Sequence, residues 1–342
     1  MRALIIRLSA IGDVVHTLPA LSALHGHGWE VGWAVEPAAR PLLEGHPLLA
    51  HLVPIPGARG FQVGEARAAA AALRAHGYDA ALDFQGLWKS AAWARVSGSS
   101  RAIGYSRRWR REPLSAMLMH ERLELPPAAT HVIDENLALL RPLGIEAMGC
   151  RELALPPFAA EAEGVDRGLR HAGVAAEALV VLNPGGGWPE KLWPAESFGS
   201  LARGLRDRGL RPLVSWGPGE EPLADRVVAA SGGAAARCFP TTLPGYVELA
   251  RRARLVVAAD TGPLHLACAI GTPVVGLFGP TDPARNGPFA AGDVALRAPS
   301  PPGAGDRFRV PSGRMAEIAV DEVLAAALRR LGLEGGPRAV AL

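Results

Sequence analysis

At 342 residues, 49% hydrophobic and 20% charged, the chain is long enough for two cored domains of about 150 residues each. A formal net charge of +3 argues against a dedicated nucleic-acid binder, and no apolar run reaches the roughly 18 residues of a membrane span. Three scattered cysteines (Cys150, Cys238, Cys268) suggest neither a disulfide framework nor a metal knuckle, which fits the cytoplasm.

Residues 2–8 read as a buried strand, and Arg7 and Asp13 interrupt the apolar stretch too early for a signal peptide. S-A-I-G-D-V-V-H (9–16) follows and opens a helix over 13–24. Gly12 there permits close approach of a ligand. Asp13 is either a first-turn residue that favours the helix dipole or a carboxylate able to take a proton from a sugar hydroxyl. Strand-like runs at 30–35, 51–55 and 79–84 alternate with helical patterns at 64–76 and 88–96. Of 36 basic residues only Lys89 and Lys191 are lysines, and Gln is equally rare, at Gln62 and Gln85. Five arginines (Arg101, Arg107, Arg108, Arg110 and Arg111) crowd 101–111 without an acid. Such a run is either a solvated face or a docking place for an anionic substrate. A helix over 131–143 closes this half, and Pro156-Pro157 marks a linker.

The second half repeats the alternation, with strands at 179–183, 211–216, 254–258 and 273–278 and a last helix at 321–331. The expected domains are therefore 1–157 and 158–332, the last helix being free to pack back on the first, with 333–342 a disordered tail. Alternating strands and helices imply an α/β fold with parallel sheets, and ligands bind at the carboxyl ends of such strands. Three turns in this half suit a nucleotide. N-P-G-G-G-W-P-E-K (183–191) offers the backbone N–H groups of Gly185, Gly186 and Gly187 with Lys191 in reach, enough to hold a pyrophosphate or simply a flexible loop. It is not a Walker loop, and no G-x-G-x-x-G follows the first strand. W-G-P-G-E-E (216–221) brings Trp216 and a carboxylate, Glu220 or Glu221, suited to ribose hydroxyls. Finally, Asp260 ends a strand, Thr261 suits an N-cap, Gly262 admits a ligand, and His265 lies on the same helix side as Thr261.

Six motifs in order then resemble one family: S-x-x-G-D-V-x-H (9–16), F-Q-G-L-W-K-S-A (84–91), R-x-x-R-R-E-P-L-S (107–115), the Lys191 segment, D-T-G-x-x-H-L (260–266) and G-P-T-D-P (279–283). Over nearly its whole length the chain is similar to the bacterial lipopolysaccharide heptosyltransferases, glycosyltransferase family 9, and most to their heptosyltransferase I branch. The resemblance implies a GT-B fold, two Rossmann-like domains facing each other across a cleft. It implies inverting transfer of heptose from ADP-heptose to Kdo of a lipid A precursor, with Asp13 as general base. Lys191, Thr261 and Gly262 would hold the diphosphate, Asp260 and His265 the heptose or phosphates, and Glu220 or Glu221 the ribose, with Trp216 nearby. Ser9, Gly12, His16, Gln85, Lys89, Arg101, Arg107, Arg108, Arg110 and Arg111 would meet the anionic glycolipid acceptor. No D-x-D is present, so Lys191 and helix dipoles would neutralise the leaving group without a metal, and no cofactor is implied. The expected location is cytoplasmic, with peripheral contact at the inner membrane where Trp109 and the 117–119 run either touch lipid or pack. The chain departs from the family in offering three glycines where Ser or Thr often precedes the lysine. Alternatives are a family-9 transferase for another sugar, a nucleotide-sugar epimerase and a non-catalytic sugar-nucleotide or RNA binder.

Overall fold

The computed structural model describes residues 1–57, 62–153, 155–299 and 313–334. The chain divides into two units, Met1–Pro156 and Pro157–Leu342. In the first, β1 (Arg2–Ile6), α1 (Ile11–Val15), α2 (Leu18–Gly26), β2 (Glu30–Val35) and β3 (His51–Pro54) are followed by α3 (Val63–Ala75) and β4 (Ala80–Asp83). Then come α4 (Trp88–Val96), β5 (Arg101–Tyr105), β6 (Glu121–Leu123) and α5 (Val132–Ala138). The sheet runs β3-β2-β1-β4-β5-β6, parallel throughout. Its central strands are apolar on both faces, as a sheet covered by helices on both sides requires.

Two helices come out shorter than the sequence pattern suggests. The tract 13–24 breaks because Pro19 lacks an N–H early in α2 and the Thr17 hydroxyl donates to the Asp13 carbonyl at 2.8 Å. The tract 131–143 stops after α5, and a 3-10 turn at Arg141–Leu143 carries Pro142 instead.

The second unit contains α6 (Ala159–His171), β7 (Leu179–Asn183), α7 (Ala195–Arg206), β8 (Arg211–Val214), α8 (Glu221–Ala230) and β9 (Ala236–Arg237). It continues with α9 (Leu243–Arg252), β10 (Leu255–Ala259), α10 (Gly262–Ala269), β11 (Val274–Phe278), α11 (Pro283–Asn286), β12 (Val294–Arg297) and α12 (Val320–Arg330). Its order, β12-β11-β10-β7-β8-β9, is the same topology as the first sheet, and every pairing is parallel. Both units thus have the Rossmann order, in which the connection reverses direction beside the first strand. That reversal lies between β1 and β4 in one unit and between β7 and β10 in the other.

The last helix spends its apolar face at home. Val323, Ala326 and Ala327 are fully buried in the core of the second unit, and the Trp193 indole donates to the Ile318 carbonyl just ahead of the helix. Of the tail expected after Gly332, Leu333 still packs against that core, and 335–342 lie outside the described residues. Among the described residues no helix is long and apolar enough to cross a membrane.

Candidate active site

In the first unit the reversal point brings together the turns after β1 and β4. Asp13 sits in the first turn of α1 with its side chain 46% exposed. Its carboxylate accepts from the Ala10 N–H at 3.2 Å and pairs with Arg7 at 3.0 Å. Arg7 is a buried guanidinium, and the same group donates to the Phe84 carbonyl beyond β4 and approaches the Asp13 carbonyl at 3.4 Å. The arginine that merely interrupts an apolar run in the sequence therefore fixes the carboxylate's direction. Gln85 ties the two turns together, its amide oxygen accepting from the Leu8 N–H at 2.9 Å. Lys89 pairs with Glu36 at the end of β2, and burial holds its ammonium below the ordinary lysine range. Glu36 escaped the sequence reading because its partner lies 53 residues away.

The basic run divides once placed. Arg110 is fully buried, pairs with Asp83 and donates to Ser115 Oγ at 2.7 Å, which commits its guanidinium to the interior of the unit. Gly104 makes room for it: a Cβ there would lie 2.6 Å from Arg110 Nη1. Arg101 begins β5, the end of the sheet opposite the turns at the strands' carboxyl ends, and it is paired with Glu121 at 2.7 Å. His16 is buried edge-on to the His131 ring. Burial sets Arg110 and His16 apart from the exposed members of that expected acceptor set, and strand direction sets Arg101 apart. Arg108 pairs with Glu124 at 2.6 Å, while Arg107 and Arg111 are exposed at the ligand end. Ser9 and Gly12 stay partly exposed beside Asp13.

In the second unit the reversal point holds a charged chain. Lys191, in a 3-10 turn at Pro189–Lys191, donates from Nζ to Asp260 Oδ2 at 2.6 Å and to the Asp260 carbonyl at 2.9 Å. His265 Nε2 donates to Asp260 Oδ1 at 3.0 Å. Burial opposes the Asp260 charge, but the hydrogen bond and charge of His265, followed by those of Lys191, outweigh it and hold the carboxyl well below its ordinary 3.8. A carboxyl lowered on folding stabilises fully above its unfolded value and loses that stabilisation as pH falls below it. Asp260→Asn is therefore expected to flatten the acid dependence of unfolding below pH 3.8, read from urea melts across pH. An unchanged acid slope would remove Asp260 from that role.

Thr261 occupies the N-cap of α10 with extended backbone, yet its hydroxyl donates back to the Ala259 carbonyl at 3.2 Å instead of capping the helix. The amino end of α10 therefore carries no side-chain cap, as an anion site needs. The three glycines differ among themselves. Gly185 is buried with the Glu220 carboxyl where its Cβ would be, Gly186 packs on the Thr261 methyl, and Gly187 faces open space. Glu220 accepts from the Gly217 N–H at 2.8 Å, whereas Glu221 opens α8, so Glu220 is the carboxylate beside the glycine turn. The Trp216 indole donates to the Cys238 carbonyl at 3.2 Å, and Arg237 lies over its ring. Two residues gained no weight from their spacing. Asn183 Oδ1 and Glu190 Oε2 are buried acceptors with no hydrogen-bond partner among the described residues, and they flank the glycine turn and Lys191. Only tertiary placement reveals such orphans.

The turns at these reversal points carry the motifs of a known group. Residues 66–306 match the family model described as glycosyltransferase family 9 (heptosyltransferase). Lipopolysaccharide heptosyltransferase 1 of Pseudomonas aeruginosa is 33% identical over 312 residues, covering 88% of this chain and 85% of that protein. Its counterpart from Escherichia coli K12 is 30% identical, covering 87% of this chain and 94% of that protein. Among solved structures, E. coli heptosyltransferase WaaC with ADP superposes with a TM-score of 0.78 at 25% identity, covering 96% of this chain and all of that one. The chain is a glycosyltransferase, and it belongs to glycosyltransferase family 9, the heptosyltransferases.

Proposed function

We propose that the protein transfers heptose from ADP-heptose to Kdo of a lipopolysaccharide inner-core acceptor, inverting the anomeric carbon. One observation carries the reading: each unit places its motif residues at its own reversal point, a carboxylate in the first and a lysine with an uncapped helix start in the second. In the proposed step an acceptor hydroxyl oxygen bonds to the anomeric carbon while the bond from that carbon to the diphosphate oxygen breaks. The hydroxyl proton passes to Asp13, and ADP departs with the electron pair. Arg7 keeps the carboxylate aimed before it takes the proton. Lys191 and the amino end of α10 meet the charge that grows on the diphosphate, so no divalent ion is called for. Asp260 and His265 set the position of Lys191, Gly187 gives the phosphates room, and Glu220 accepts from the ribose. Arg107 and Arg111 supply bidentate cations for an anionic glycolipid, which brings the protein to the membrane surface as a peripheral visitor.

The test of the donor is thermal. With ADP-heptose at a hundred times its dissociation constant and EDTA present, the protein should gain about 2.7 kcal/mol of apparent stability, and UDP- or GDP-linked sugars at equal concentration much less. Equal shifts from all carriers would defeat the assignment.

A further inference from the structure

We infer that the face formed by α3 and α4 docks on an anionic phospholipid surface, with an acyl segment entering the groove between the helices and headgroup phosphates meeting its arginine rim. The inference rests on the peripheral contact proposed above and names where it is made. The groove has a volume of about 560 Å³. On α3 it is lined by Val63, Ala66 and Ala70, with Arg67 and Arg74 on the same stripe at helical spacing. From α4 come Ala92, Trp93 and Val96, again one stripe of a helix. Alanines at the floor keep the groove open, because larger side chains at three- and four-residue spacing would meet across it and close it.

Charge chooses the occupant. The two helices carry Arg67, Arg74, Lys89 and Arg95 against one acid, Glu65. Lys89 is committed to Glu36, but Arg67, Arg74 and Arg95 have no ion pair among the described residues. At the amino ends of the same helices Val63 and Trp88 are left 59% and 44% exposed. Apolar stripes bordered by unpaired arginines, with an indole at the edge, suit the boundary between headgroups and acyl chains. Apart from Lys89, none of these features is consumed by the two turn clusters proposed to carry the transfer chemistry.

The experiment is vesicle flotation of the whole protein. Vesicles of pure phosphatidylcholine are compared with an equimolar mixture of phosphatidylcholine and phosphatidylglycerol. The wild type should float with the anionic vesicles and not with the neutral ones. Neutralising both arginines, Arg67→Gln with Arg74→Gln, should weaken partition roughly thirtyfold, the factor for two lost surface cations. Ala70→Glu, which puts a charge on the groove floor, should abolish flotation, and both variants should keep the thermal midpoint and ADP binding of the wild type. Undiminished flotation of the variants would overturn this face while leaving peripheral contact standing. Failure of the wild type to float would overturn both, and equal binding to neutral vesicles would overturn the charge argument.

Discussion

Replacing Asp13 by Asn is expected to cut transfer roughly 100- to 10,000-fold while leaving ADP affinity unchanged, the range for losing a general base. The substitution keeps the shape of the side chain and removes its ability to take a proton. The turn should survive it. The asparagine carbonyl oxygen can still accept from the Ala10 N–H, and Arg7 retains the Phe84 and Asp13 carbonyls. The proposed diphosphate partners belong to the other unit, so ADP binding should be untouched by the substitution, and an unchanged urea midpoint reports that the first unit is intact. Transfer measured with a nucleotide-sugar assay at saturating donor gives the comparison. Turnover within tenfold of wild type would mean that another group accepts the proton.

Arg110→Met should produce the largest loss of stability, about 3–5 kcal/mol in urea unfolding, because it strands a buried carboxylate. The side chains of Arg110 and Asp83 are both completely hidden from solvent. Asp83 also accepts from the backbone N–H groups of Gln85 and Gly86 at 3.1 and 3.2 Å, so the ion pair holds the turn that faces Asp13. Loss of the guanidinium is therefore expected to loosen Gln85 and its bond to Leu8 and to lower turnover as a second effect. A stability change below about 1 kcal/mol would show that the pair is worth no more than an exposed one.

Much of this architecture can be read from local pattern. The long apolar strands β1, β2, β7, β10 and β11 announce themselves, as do the turns at 9–16, 183–191 and 260–266, since period and turn chemistry are short-range signals. Three of the four edge strands do not. β6, β9 and β12 have three, two and four residues, and β12 alternates in burial as an edge strand does. β5 hid behind its first residue: Arg101 made the segment look like the start of a charged run, although the following four residues are buried. The arginine run itself shows the limit of composition, because five like residues in one stretch came to occupy a buried pair, a far strand end, a surface ion pair and two exposed positions. Which arginine serves which purpose depends on Asp83, Glu121 and Glu124, and spacing along the chain carries no trace of those pairings. The same holds for Arg7, whose partners come from Asp13 and from Phe84, 77 residues away.

Each six-stranded sheet is completed by its own stretch of chain, and the boundary at Pro156 and Pro157 interrupts neither of them. The halves can consequently follow different histories. On the proposed division of labour, a lineage that varies the loops of the first half would change its acceptor without unsettling the proposed grip on the nucleotide, and recombination at the proline pair would join a new first half to an inherited second one.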